Sequence, residues 1–508
     1  MRSFMLFAVC FLQTALFSFG QTAQQKVNRY TKENEGKLIN GYIQFVSIPN
    51  VSKDSSNILR NAEFIKKMML DRGIKAELLH GITPNVTPVV FGEVKVPGAK
   101  YTLSFYAHYD GQPVNAAKWT GGLIPFTPVF IDKPVEQGGK IVQYENTLSS
   151  EWRLTGRGSA DDKAGVMTIL NAYDALVKTG VTLKHNIKFF FEGEEEVGSI
   201  HLDEIFTKNK EKLQTDLWVI IDGPRHVSGK KMISFGVRGD VNMNLTVYGP
   251  KRPLHSGNYG NWAPNPALSL VQLLAGMKDD KGNILIEGYY DDVVPLSAIE
   301  KDALAKIPNI EQTLQQELGI AVPEGGGRSF LELLHLPTLN INGIKSADVG
   351  DLAANIIPTK AEATLDLRLV LGNEVDKQTG RVIKHIEKNG FHVIDHEPSD
   401  EERLKYGKLI KITNGAGYPA QRTSFDLPIA KSLVKAVQST VNYPLVLIPS
   451  MGGSLPLYLF EKTLQAKVIT VPVVNYDNNQ HAENENVQLK FLWEGIETIA
   501  AIMIMEHQ

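Results

Sequence analysis

The stretch that most restricts how this chain can fold reads Asn186-Ile-Lys-Phe-Phe-Phe-Glu-Gly-Glu-Glu-Glu-Val-Gly-Ser199. The run Asn186 to Phe191 predicts an apolar strand. It ends in four carboxylates within five residues, Glu192, Glu194, Glu195 and Glu196. Carboxylates this close at the end of a buried strand repel one another unless cations, protons or water compensate. Two readings follow: a solvated acidic loop, or a metal-bound carboxylate beside a second one that serves as general base. The second requires histidines and aspartates at matching positions elsewhere.

Such residues occur in order along the chain. Tyr101 to Ala107 predicts a strand that stops at His108-Tyr-Asp110. Residues i and i+2 of an extended chain face the same way, so His108 and Asp110 can serve as a ligand and its orienter. A glycine-rich loop, Thr155 to Gly165, then enters a helix predicted from about Ala164 to Lys178. It lacks the eight-residue phosphate-loop pattern, and its two aspartates would repel phosphate. Asp161 and Asp162 can cap the helix, or one of them can bridge metals. Asp216 to Ile221 predicts a further strand, ending at Asp222. Three successive strands thus deliver His, Glu and Asp at their C-terminal ends, the edge where open α/β sheets bind ligands. His481, in a polar loop beyond the last apolar strand (Ala466 to Val474), repeats the placement.

Charge and cysteine content narrow the chemistry. With 53 basic and 56 acidic residues the chain reads as soluble and globular, and no basic stripe asks for nucleic acid. Residues 1–20 hold Arg2, an apolar run from Phe4 to Phe17, and then small residues at Ser18 and Gly20. This layout predicts a cleaved secretory signal, too short for the ~20 residues of a membrane span. It implies an exported protein, periplasmic or extracellular, without stable membrane insertion. Cys10, the only cysteine, lies inside that segment, so a chain beginning near Gln21 must hold any metal with His, Asp and Glu.

A chain of 508 residues is too long for one core. From about Gly236 the texture changes. An alternating strand (Asp240 to Tyr248), a helix (Pro264 to Met277) and a charged, Gly- and Pro-rich insertion with a helical run around Glu300 to Leu318 come first. Strands at Thr338 to Ile344 and Ala361 to Val370, a helix at Glu374 to Asn389 and a strand at Phe391 to Asp395 follow. That order predicts an α+β unit inserted into the first domain. The polar, glycine-punctuated segment from Ser399 to Pro419 reads as the way back.

Taken together, His108-x-Asp110, Gly156-Arg-Gly-Ser-Ala-Asp161-Asp-Lys, Glu192-Gly-Glu-Glu195-Glu196-x-Gly-Ser, Asp222, Leu254-His255-Ser-Gly and His481 resemble the dinuclear zinc metallopeptidases of the carnosinase, carboxypeptidase G and acetylornithine deacetylase family. Within it, Gly282 to Pro295 and Leu339 to Ile344 look like the enlarged lid of the carnosinase-type and cytosolic non-specific dipeptidases. The resemblance implies an α/β fold: a mixed-sheet catalytic domain with an inserted α+β lid through which the protein forms a homodimer. The expected division is a signal at 1–20, the catalytic domain at 21–238 and 406–508, and the lid at 239–405.

By resemblance, His108 and Asp222 would hold one divalent cation, Glu196 and His481 the other, and Asp161 would bridge both. Zinc is expected, with manganese or cobalt as alternatives; imidazole and carboxylate suit it. Asp110 would orient His108, Glu195 would be the general base, and His255 would reach the partner subunit's site to stabilise the oxyanion. Arg368, Asn355, Gly453 and Ser454 would bind the substrate carboxylate. The function so implied is hydrolysis of dipeptides or short peptides. An N-acyl-amino-acid deacylase would use the same metals. A non-catalytic, zinc-stabilised binding protein would need neither Glu195 nor His255.

Overall fold

The computed structural model describes residues 21–144, 147–453 and 456–506. The expected signal segment and Ser454 lie outside them.

Strands whose side chains are buried on both faces build the larger sheet. Thr102–His108 and Asn186–Glu192 are buried at every position but the first, as near-continuous apolar runs require of strands covered on both sides. The triple phenylalanine shows how. Phe189 and Phe191 point into one core, with Phe45, Ile169 and Leu170, while Phe190 points into the other, beside Phe206, Trp218 and Phe460. The helices Ala23–Val46, Lys163–Lys178 and Leu489–Met503 cover the first face. The short helices Leu202–Lys208 and Tyr458–Leu464 cover the second. Phe190 meets Trp218 edge-on, with ring centroids 5.2 Å apart. Phe190→Leu should therefore cost about 1–2 kcal/mol in urea unfolding, through lost ring contacts and a small cavity.

Eight strands form this mixed sheet, in the order Lys75–Leu79, Val89–Val94, Asn186–Glu192, Thr102–His108, Leu217–Ile220, Val468–Thr470, Met232–Ser234, Val446–Ile448. The three in the middle that carry the site run parallel. His108 lies opposite Glu192, and Tyr106 opposite Ile220.

A second sheet of five strands has the order Thr338–Lys345, Lys360–Leu369, Gly239–Tyr248, Leu409–Asn414, His392–Ile394. Its long strands alternate: Val241, Met243, Leu245 and Val247 face inward with Ala363, Leu365 and Leu367. The helices Pro266–Ala275 and Val375–Lys388 pack on that apolar face.

Two expectations change. The segment Ser399 to Pro419 is not a plain return, because Leu409–Asn414 pairs antiparallel with Gly239–Tyr248. Its short run Leu-Ile-Lys-Ile buries Ile410 and Ile412 in the smaller core, so this sheet extends past residue 405. The helical run near Glu300 to Leu318 is two helices, Ala298–Ala305 and Glu311–Leu318, separated around Pro308, which cannot continue a helix. The first of them packs against Val446–Ile448 at the edge of the larger sheet. Among the described residues no helix is long and apolar enough to cross a membrane.

Candidate metal centre

Parallel register brings the donors to one edge. His108 closes its strand, and Asp222 lies two residues beyond Ile220, level with it. The buried Asp161 carboxylate stands between two imidazoles. Its Oδ1 lies 2.9 Å from His108 Nε2 and its Oδ2 3.0 Å from His481 Nε2. Glu196 Oε2 is 3.3 Å from His481 Nε2. Asp222 Oδ2 and Glu195 Oε2 are 3.9 and 3.8 Å from His108 Nε2. Two donors on one tetrahedral ion with bonds of about 2.0–2.1 Å lie about 3.3 Å apart. The separations are of that order, and the donors fall into two groups that could each hold a cation, His108–Asp162–Asp222 and Asp161–Glu196–His481.

Charge fits as well. Among the described residues, the ion pairs of Asp110, Asp161, Glu195, Glu196 and Asp222 run to histidines alone. Burial pushes Glu195 well up, and the neighbouring carboxylates Asp222, Glu196 and Asp161 add to it. Burial, with Asp161 beside it, also pushes Glu196 up to about 7 and Asp222 up to about 6. For Asp161 burial acts in the same sense, but hydrogen bonds from His108 and His481 outweigh it and hold the carboxyl below its usual range. A site stripped of cations is thus short of positive charge.

The stripped protein has a definite pH response. A carboxyl raised in the fold keeps its proton where the unfolded chain, with pKa near ~4, has lost it. Its contribution to stability is full below that value and disappears as pH rises through the folded value. With Glu196 at about 7 and Asp222 at about 6, the chelator-treated protein should melt progressively lower between roughly pH 4.5 and 7.5. Added zinc should restore the melting temperature most at the upper end. Melting curves with and without zinc across that range check it.

Neighbouring residues that the sequence left as alternatives are distinguished by their partners. Asp162 lies within 4.8 Å of His108 and Asp222. Its oxygens are already engaged, Oδ1 accepting from Gly165 N–H at 3.1 Å as the helix cap and Oδ2 from His108 N–H at 3.2 Å. Glu194 is drawn off to His201, 2.8 Å away, which leaves Glu195 and Glu196 facing the centre. Asp110 lies 3.2 Å from His108 Nδ1. It also accepts the N–H groups of Glu195 and Glu196 at 3.2 and 3.1 Å, so one carboxylate orients the histidine and holds the glutamate loop.

The other predicted residues do not belong to this donor group. His255 is exposed on a two-residue strand, where its Nδ1 accepts Gly257 N–H. Arg368 Nε lies 3.2 Å from Asp366 and 3.6 Å from Asp240 on the smaller sheet. Asn355 and Gly453 are exposed. Several contributors were missed in the sequence. Gln112 donates to Glu196 Oε2 at 2.7 Å, and Tyr106 donates to Glu192 at 2.7 Å. Arg157 and Glu485 form a buried pair beneath Asp161. Gln112 continues the i, i+2 pattern of His108 and Asp110, a signal that could have found it.

A profile of peptidase family M20/M25/M40 matches residues 104–505. The chain is similar to the Cys-Gly metallodipeptidase dug1 of Schizosaccharomyces pombe, 25% identical over 469 residues, covering 89% of this chain and 91% of that protein. It is 26% identical to the human Beta-Ala-His dipeptidase over 438 residues, 84% of this chain and 79% of that protein. Its fold is similar to an M20 family metallo-carboxypeptidase, Sso-CP2 of Sulfolobus solfataricus, with TM-score 0.75, 27% identity, and coverage of 92% and 98%. The expected periplasmic or extracellular location is corrected: the metallodipeptidase relatives speak against it, and residues 1–20, on which it rested, lie outside the described ones. An apolar run behind one arginine is a weak address, because its physics shows only that it is too short to span a bilayer.

Proposed function

The chain belongs to peptidase family M20/M25/M40, and on that premise we propose that it is a dinuclear-metal dipeptidase acting on dipeptides or short peptides. The observation that carries this reading is the Asp161 carboxylate with one oxygen on each of two imidazoles and Glu195 alongside. His108 and Asp222 would hold one cation, Glu196 and His481 the other, and Asp161 both. The donor set of imidazole and carboxylate favours zinc. When bound, the cations supply Lewis acidity and a more acidic water.

Glu195 takes the proton from the attacking water and returns it to the leaving amine. Asp110 keeps Glu195 in place through its backbone N–H and steadies His108 from behind. Arg368, with Asn355, Gly453 and Ser454, would receive the substrate's free carboxylate, for which a planar guanidinium is well shaped. The catalytic domain would comprise residues 21–238 and the C-terminal part of the chain, with the second sheet as the lid.

A dimer formed through the lid would give His255 a role. Thr338–Lys345 is an edge strand with Ile341 and Ile344 exposed, the kind of edge that pairs with another chain. A second copy docked there would carry its own exposed His255 toward this site as an oxyanion donor.

A dipeptide and its N-acetylated counterpart test the substrate class. The free dipeptide should be hydrolysed, the reaction should stop on chelation, and zinc, manganese or cobalt should restore it. Preference for the acetylated compound would make the enzyme a deacylase instead.

A further inference from the structure

The two halves of the donor cluster are anchored differently. His108 and Asp222 sit at or just beyond the ends of hydrogen-bonded strands. Asp161 and His481 stand on loops, and the His481 side chain is 55% exposed.

A buried ion pair joins those two loops. Arg157 Nη1 donates to Glu485 Oε2 at 2.7 Å, and Arg157 Nη2 donates to the carbonyl of Ala482 at 2.8 Å, one residue beyond His481. Glu485 Oε2 also accepts Gly158 N–H at 3.0 Å. Its Oε1 accepts the N–H groups of Ala160 and Asp161 at 2.8 and 3.0 Å. The backbone adds Gly156 N–H to Glu485 O at 2.9 Å. Both side chains are nearly inaccessible to solvent, at 3% and 0%. The four donors on its two oxygens use the acceptor capacity of the carboxylate fully, so the Asp161 loop is folded around Glu485 as other loops fold around a bound anion.

We propose that Arg157 and Glu485 are positioning residues that set the separation of Asp161 and His481, and with it the affinity of the Glu196–Asp161–His481 half for its cation. The His108–Asp222 half shares Asp161 but owes its own two donors to the sheet, and in Arg157→Lys the Asp161 N–H keeps its bond to Glu485. This rests on the two-cation reading above. Arg157 is the more selective handle, because its fork holds Glu485 and the carbonyl beside His481 together, a pairing that a lysine, as a single point donor, cannot reproduce.

The full-length protein, stripped with a chelator, is titrated with zinc by calorimetry, and bound metal is counted by mass spectrometry. Wild type should take up two zinc ions. Arg157→Lys should weaken one of them about 10–100-fold, the range for partners behind metal ligands, and leave the other within about threefold. In a His481→Ala background, Arg157→Lys should not change the affinity of the remaining ion. Excess zinc should restore kcat in Arg157→Lys, which a misfolded variant would not allow. Unchanged affinities, or equal weakening of both ions, would overturn the positioning role while leaving the two-cation reading intact. Wild type binding fewer than two ions would overturn both.

Discussion

Glu195→Gln should lower kcat for dipeptide hydrolysis by roughly 10³-fold or more while both cations stay bound, in line with the 10²–10⁴-fold worth of a positioned general base. The substitution keeps shape and removes basicity. Glu195 Oε2 stands 3.8 Å from His108 Nε2 and Glu196 Oε2 3.3 Å from His481 Nε2, and the proposed division gives Glu195 to the water and Glu196 to a cation. The backbone N–H of residue 195 still reaches Asp110, so the loop should not move. A loss of 10³-fold corresponds to about 4 kcal/mol of transition-state stabilisation. The readouts are steady-state kinetics beside metal content. A variant with two metals and kcat within about tenfold of wild type would place the base elsewhere.

Asp161→Asn should be at least as damaging, by a different route. Among the described residues, Asp161 is the one carboxylate that touches both imidazoles. An amide offers one oxygen and no charge where two anionic oxygens are needed. Bound zinc should fall from two ions to one or fewer, activity should fall with it, and the stabilisation that zinc gives wild type in a melt should largely vanish. Asp162→Asn is the control. The single oxygen of asparagine can keep the Gly165 cap but leaves the His108 N–H without its Asp162 acceptor, so this variant should lose some stability. It should keep both metals. If Asp162→Asn lost them and Asp161→Asn did not, the assignment of the adjacent aspartates would be reversed.

Much of the fold was legible because periodicity is local. The continuous apolar runs of Thr102–His108 and Asn186–Glu192 and the alternation of Gly239–Tyr248 carry their burial pattern in their own side chains. The strand Leu409–Asn414 was hidden because its apolar run is short and set among polar residues, and only pairing with Gly239–Tyr248 makes it a strand.

The amino-acid order alone told that His, Asp and Glu side chains close successive strands, that the chain has a single cysteine, Cys10, and that the motifs together resemble a dinuclear metallopeptidase family. It could not tell which of two adjacent aspartates, or which two of three adjacent glutamates, would face the centre. What bears on those choices is contact made in the fold: His201, a short way further along the chain, pairs with Glu194, while the distant His108 N–H and Glu485 engage Asp162 and the Asp161 loop. Spacing along a chain records which way neighbours point. Distances of about 3 Å between residues 108, 161 and 481 come from strand register and loop packing, which no local pattern encodes.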